Sequence, residues 1–215
     1  MAVRIPVLVS LSLLALTSLA VQAQTPPAFS GDAKRGHDLS YTCNGCHAIP
    51  NYKNVYPTYS VPKLHGQRPQ YLVAALKAYK SGERSHGTMH SQASSLSDQD
   101  MADVAAYLAG ADVLGQSKND VPADKRPKAT EVCLACHGTN GVGITPDYPT
   151  LAGQHRDYIE RALTDYKRGG RKNAVMAGMA ANLTHDDIEA LAAYYSGQTP
   201  ALQVVPKKAS FLSSN

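Results

Sequence analysis

All four cysteines of the chain fall in two copies of one pentapeptide, Cys43-Asn44-Gly45-Cys46-His47 and Cys133-Leu134-Ala135-Cys136-His137. On a helical turn, residues i and i+3 share a face, so each copy presents two thiols side by side with an imidazole next in the chain. Two thiols so placed can add to the two vinyl groups of one haem, and the histidine that follows can turn its ring under the iron. This is the pattern of c-type haem attachment. Other chemistries fit less well. Zinc wants four ligands, and each pair has only one local histidine. A thioredoxin-like site belongs beside a strand of a βαβ unit, and strand-like alternation is nearly absent here. A disulfide within each pair leaves both histidines without a task.

The pentapeptides belong to a longer repeat. Pro62-Lys63-Leu64-His65-Gly66-Gln67 returns as Pro149-Thr150-Leu151-Ala152-Gly153-Gln154, and Tyr79-Lys80-Ser81-Gly82 as Tyr166-Lys167-Arg168-Gly169, both at an offset of 87. The pentapeptides themselves are 90 apart, which leaves a longer loop in the first copy between His47 and Pro62. A period of that size means tandem domains rather than a solenoid. Leu72, Val73, Ala75, Leu76 and Tyr79 form a helical stripe, matched by Ile159, Ala162, Leu163 and Tyr166. Ser97 with Asp100, and Thr184 with Asp187, have capping-box spacing ahead of another apolar run. The expected fold is all-α, two tandem domains each wrapping one haem. Their bounds are 24–112 and 127–198, with a Gly-, Asn- and Pro-containing linker over 113–126 and a tail, 199–215, that has no repeat equivalent.

Residues 1–23 read as a cleaved signal peptide: Arg4, then an apolar run from Ile5 to Ala20, then Val21-Gln22-Ala23. The run is shorter than the roughly 20 apolar residues of a membrane anchor, and the mature chain is expected to begin near Gln24 in the periplasm. Of 215 residues, 43% are hydrophobic and 18% charged, with no long block of one sign, which excludes a disordered polyelectrolyte. The formal charge of +4 is too small for a dedicated nucleic-acid binder. Losing Arg4 and gaining four haem propionates brings it to about −1. What remains is local: Lys167, Arg168, Arg171 and Lys172, echoed by Lys80 and Arg84. This cluster reads as a solvated helix end, or else as a docking patch or propionate partner.

The second axial ligand follows from register. Small electron carriers of this kind commonly pair His with Met. Met89 and Met176 each stand seven residues before the repeated Leu96 and Leu183, so they are equivalents and the expected partners of His47 and His137. Met101 aligns with Ile188 and reads as packing. His90, beside Met89, and Met179, near Met176, are the competing ligands. The remaining histidines, His37, His65, His86, His155 and His185, have no histidine partner in the repeat and read as surface or satisfied side chains.

On these motifs, over residues 30–198, the chain resembles the di-haem class I cytochromes c of bacteria, the cytochrome c4 group. The resemblance implies that the carbonyls of Pro62 and Pro149 accept from Nδ1 of His47 and His137, orienting the rings. It also implies a periplasmic or peripherally membrane-associated carrier passing electrons from the cytochrome bc complex toward a terminal oxidase, with no small-molecule substrate. The alternative is the haem subunit of a periplasmic dehydrogenase, such as a flavocytochrome c sulfide dehydrogenase. A catalytic di-haem enzyme needs a haem without Met or with a Cys ligand, and no spare Cys exists. Two departures stand out. The helix before Cys133 is expected to be short, because Pro127 lies close upstream. Gly36 suits a close helix crossing near Tyr107, whereas Arg126 holds the matching place in the second copy.

Overall fold

The computed structural model describes Met1 and residues 29–111, 114 and 121–206. The proposed signal peptide, much of the linker and the end of the tail therefore lie outside the described residues. In the first half run α1 (Ala33–Leu39), α2 (Tyr41–His47), α3 (Pro69–Ser81), α4 (Gly87–Ser94) and α5 (Asp98–Ala109). The second half has two 3₁₀ turns (Ala123–Lys125 and Lys128–Thr130), then α6 (Leu134–His137), α7 (Arg156–Arg168), α8 (Ala174–Ala180) and α9 (His185–Ser196). Among the described residues the only β pairing is three isolated bridges.

Local sequence explains these boundaries. Pro69 sits at the start of α3, where its missing N–H costs nothing. The equivalent helices α3 and α7 both stop at glycines in the left-handed region, Gly82 (φ 79°) and Gly169 (φ 78°), the usual C-terminal device. Both capping boxes form, with Ser97 and Asp100 on α5 and Thr184 and Asp187 on α9. The stripes of α3 and α5 meet in the first core, where Met101, Val104 and Ala105 are fully buried. Ile159, Leu191, Ala192 and Tyr195 make the second core.

The two halves differ at their first helix. A Cβ on Gly36 would lie 1.9 Å from the Asp103 carbonyl oxygen and 3.0 Å from Tyr107 Cβ, so α1 crosses α5 at backbone contact. The second half has 3₁₀ turns in place of this helix, and α6 is one turn long. Asp103, on α5, is 1% exposed, accepts the Asp32 N–H at 2.8 Å and pairs with Arg35. The Asp32 N–H first, and then Arg35, hold its carboxyl below the usual range against the cost of burial. Ser97 and Arg35 take Asp100 down to about 2. A depressed carboxyl contributes stability that is complete above its unfolded value of about 3.9 and is lost as pH falls through the folded value. Asp103→Asn is therefore expected to cost about 1–3 kcal/mol at pH 7 and to flatten the loss of stability as pH falls below about 4. Denaturant unfolding at pH 7 and pH 3 reads this, and an unchanged acid slope would refute it.

The halves pack about a pseudo-two-fold axis. Gln67 Nε2 donates to the Thr150 carbonyl at 2.9 Å while its Oε1 accepts the Thr150 N–H at 2.8 Å. The equivalent Gln154 does the same to Lys63, at 2.9 and 3.0 Å. Arg84 and Arg171, also equivalents, pair as an antiparallel bridge and are 8% and 6% exposed. Each guanidinium lies over two tyrosine rings of its own domain, Arg84 over Tyr71 and Tyr79 and Arg171 over Tyr158 and Tyr166, at 5.3–5.6 Å. Arg84 also donates across the interface to Tyr166 Oη at 3.3 Å. This corrects the reading of these two arginines as part of a solvated helix end or docking patch. A planar, weakly hydrated cation can be buried against aromatic faces, which a Lys ammonium does far less well.

The longer first-copy loop serves the same interface. Ser60 donates its N–H and hydroxyl to Asp157 at 3.0 and 2.9 Å, and buried Tyr59 packs against Tyr158. At its tip, Val55 and Tyr56 are left open to solvent.

Candidate functional site

Each pentapeptide helix turns its histidine inward. His47 is 9% and His137 5% exposed, and Nδ1 of each lies 2.9 Å from a proline carbonyl, Pro62 for His47 and Pro149 for His137. Since the carbonyl can only accept, Nδ1 carries the proton and Nε2 is left with its lone pair. Burial pushes both imidazoles toward the neutral form, and the proline carbonyls oppose it. A neutral ring with a fixed tautomer is what a metal ligand requires.

The four cysteines are unpaired thiols. Burial raises Cys43 and Cys133 above the ordinary thiol value, so thiolate is scarce at neutral pH. Among the described residues, no three His, Cys, Asp or Glu side chains are grouped as a metal cluster would need. That leaves zinc in these motifs without a ligand set.

Two cavities receive these groups. The larger, about 530 Å³, is bordered by Cys43, Cys46, His47 and Met89, with apolar walls from Leu72, Leu76, Val104 and Leu108. That volume is in the range of cofactor sites. The second, about 90 Å³, is bordered by Cys133, His137 and Met176, with walls from Ile159, Leu163 and Leu191. Cys136 does not border it. Arg84 borders the first cavity and Arg171 the second. The donor set on each wall, with thiol, imidazole and thioether around an apolar slot, fits a haem. The competing ligands lie elsewhere: His90 Nδ1 is engaged by the Tyr79 carbonyl at 2.9 Å, Met179 is 44% exposed, and neither borders these two cavities.

The methionines owe their position to caps that the sequence reading passed over. Met89 and Met176 are each the third residue of a helix, α4 and α8. Their N–H groups donate to the side chain of the residue before the helix, His86 Nδ1 at 3.2 Å and Asn173 Oδ1 at 3.0 Å. Asn is a strong capping residue and could have been read as one; His is not, so only the repeat equivalence of positions 86 and 173 carried a signal. Replacing Asn173 with Ala should cost about 1 kcal/mol and loosen Met176, seen as heterogeneity in the potential of one haem alone. Equal broadening at both haems would count against this placement.

A cytochrome c family model matches residues 33–112 and again 128–197. Cytochrome c4 of Pseudomonas aeruginosa is 35% identical over 88% of this chain and 97% of its own length. A thiosulfate dehydrogenase electron acceptor of Stutzerimonas stutzeri is 30% identical over 72% of this chain and 76% of its own length. The crystal structure of reduced recombinant cytochrome c4 from Pseudomonas stutzeri superposes with a TM-score of 0.61 at 31% identity, covering 79% of this chain and all of that one. Two domains with one Cys-x-x-Cys-His pair each fit two covalently bound haem c groups. With its repeated all-α halves, paired cavities and near full-length relatives, the chain belongs to the cytochrome c family, among the di-haem cytochromes c4, and is an electron-transfer protein rather than an enzyme.

Proposed function

We propose that this chain shuttles single electrons in the periplasm between membrane-bound respiratory complexes, from the cytochrome bc complex toward a terminal oxidase. Cys43, Cys46, Cys133 and Cys136 hold the two haems through thioether bonds. His47 with Met89, and His137 with Met176, supply the axial ligands. When bound, each haem iron cycles between ferrous and ferric states. The observation that carries the reading is that each cavity is bordered by one Nε2 left free by its proline bond and by one repeat-equivalent methionine.

The residues on the page set how each site works. The Pro62 and Pro149 carbonyls fix the imidazole orientation and raise its basicity. The neutral thioether and the apolar walls disfavour the extra positive charge of the oxidised site, so both potentials are high relative to bis-His ligation. Arg84 and Arg171 offer a buried cation to the propionates of each cavity. Export rests on the signal-like residues 1–23.

A pyridine haemochrome assay combined with a redox titration of the exported protein tests this. Two haems c per chain and two one-electron waves are expected, and a single haem or a colourless protein rejects it. The relative named as a thiosulfate dehydrogenase electron acceptor favours a second reading, in which the donor is a periplasmic dehydrogenase. Co-purification with such an enzyme, and reduction by it faster than by the bc complex, would select that donor.

A further inference from the structure

After α5 the Leu114 N–H donates to the Gly66 carbonyl at 3.2 Å; the segment after α9 makes a similar contact in the second half and then continues into the first, joining both halves through the same register position. The Leu202 N–H donates to the Ala152 carbonyl at 2.9 Å, and Gln203 exchanges two backbone bonds with His65 at 3.0 and 3.1 Å. Residues 65 and 152 are repeat equivalents, so the segment follows the pseudo-two-fold axis from one domain to the other. Leu202 is fully buried, and Val205 is 2% exposed within the first core. Gly153 leaves room for the crossing: a Cβ there would come 2.3 Å from Ala201 Cβ.

The segment then reaches the haem-binding helix itself. The last carbonyls of a helix lack intrahelical partners. In α2 the Asn44 and Cys46 carbonyls are met by the N–H groups of Ala48 and Ile49, and the His47 carbonyl accepts the Val205 N–H at 3.1 Å. His47 is thus tied at both ends, its ring to Pro62 and its backbone to Val205. Among the described residues, His137 has no equivalent backbone bond from a distant segment.

We propose that residues 201–205 are a positioning strap that closes the C-terminal end of α2, seals the first core beneath His47, and thereby sets the potential of the first haem alone. The inference rests on His47 being an axial ligand of that haem. Removing the strap uncaps the His47 carbonyl and opens the apolar wall at Val205. Water then stabilises the oxidised site, and the first potential falls.

The test compares the full chain with two truncations of the haem-loaded protein, one ending at Pro206 and one ending at Leu202. The second keeps the bond to Ala152 and removes the contacts with His65 and His47. The shorter protein should show the ferrous-to-ferric ratio of the first haem fall by about tenfold at fixed ambient potential, about 59 mV for a one-electron couple. The second haem should stay within twofold, and the protein ending at Pro206 should match the full chain. The first wave is identified as the one that Met89→Ala displaces. Full-length Val205→Pro, which deletes the donor N–H together with the buried valine side chain, should lower the same wave and is the measurement used if the shorter chain does not accumulate. Equal movement of both waves, or of neither, overturns the strap while two intact waves in the full chain leave the ligand assignment standing. Failure of the full chain to show two waves would instead overturn the ligand assignment.

Discussion

If Met89 is the proposed axial ligand, replacing it with alanine is expected to lower one of the two reduction potentials by a few tenths of a volt, a sizeable part of the roughly 0.8 V that axial ligation spans, and to leave the other in place. The thioether is a neutral, soft donor that favours ferrous iron; water or hydroxide in its place favours ferric. Met176→Ala is expected to do the same to the second wave. His90→Ala and Met179→Leu should change neither potential by more than a small fraction of that, since His90 is bonded to the Tyr79 carbonyl and Met179 faces solvent. Spectropotentiometric titration of the four variants reads the outcome. Retention of the high potential in Met89→Ala would mean that another group holds the iron.

The second large effect lies between the domains. Gln67→Ala combined with Gln154→Ala removes the four hydrogen bonds that the two side chains make to Thr150 and Lys63. Gln67 and Gln154 are 3% and 5% exposed. At Thr150, itself 1% exposed, a backbone N–H and carbonyl would be left unpaired away from water, and each such group costs about 1–3 kcal/mol. The domains should then unfold in two separate thermal transitions, where the unaltered protein shows one. Exchange of the Thr150 amide hydrogen should accelerate by more than tenfold. A single unshifted transition in the double variant would show that the Arg–Tyr layer and the first-copy loop hold the halves together without the glutamines.

Two pentapeptides and an 87-residue offset were enough to derive tandem helical haem domains, because attachment chemistry demands those residues at that spacing and a repeat copies its fold with its pattern. The capping boxes of α5 and α9 and the glycine stops of α3 and α7 are equally local, each fixed within one turn of chain. Pro127 foreshadowed a short helix before Cys133, where the structure has 3₁₀ turns in place of an α-helix, and a missing Cβ foreshadowed the tight α1–α5 crossing at Gly36.

What linear order concealed is whatever depends on the second half meeting the first. Arg171 stands in a run with Lys167, Arg168 and Lys172, which as a string looks like one solvated patch. The chain turns at Gly169, exposing its neighbours and burying Arg171 against two tyrosines and its own repeat equivalent. His86 gave no capping signal, since an imidazole caps only where the fold happens to present its lone pair to the Met89 N–H. The tail carried no pattern at all. Its contacts are made by backbone groups, which every sequence possesses and none advertises. Sequence alone determined the cofactor chemistry, the starts of α5 and α9, the ends of α3 and α7 and the doubling of the domain, all consequences of short-range covalent and hydrogen-bond rules. The two-fold packing, the burial of Arg84 and Arg171, and the path of residues 201–205 to His47 were decided only in three dimensions, where partners more than 60 residues apart compete for the same buried hydrogen-bonding groups.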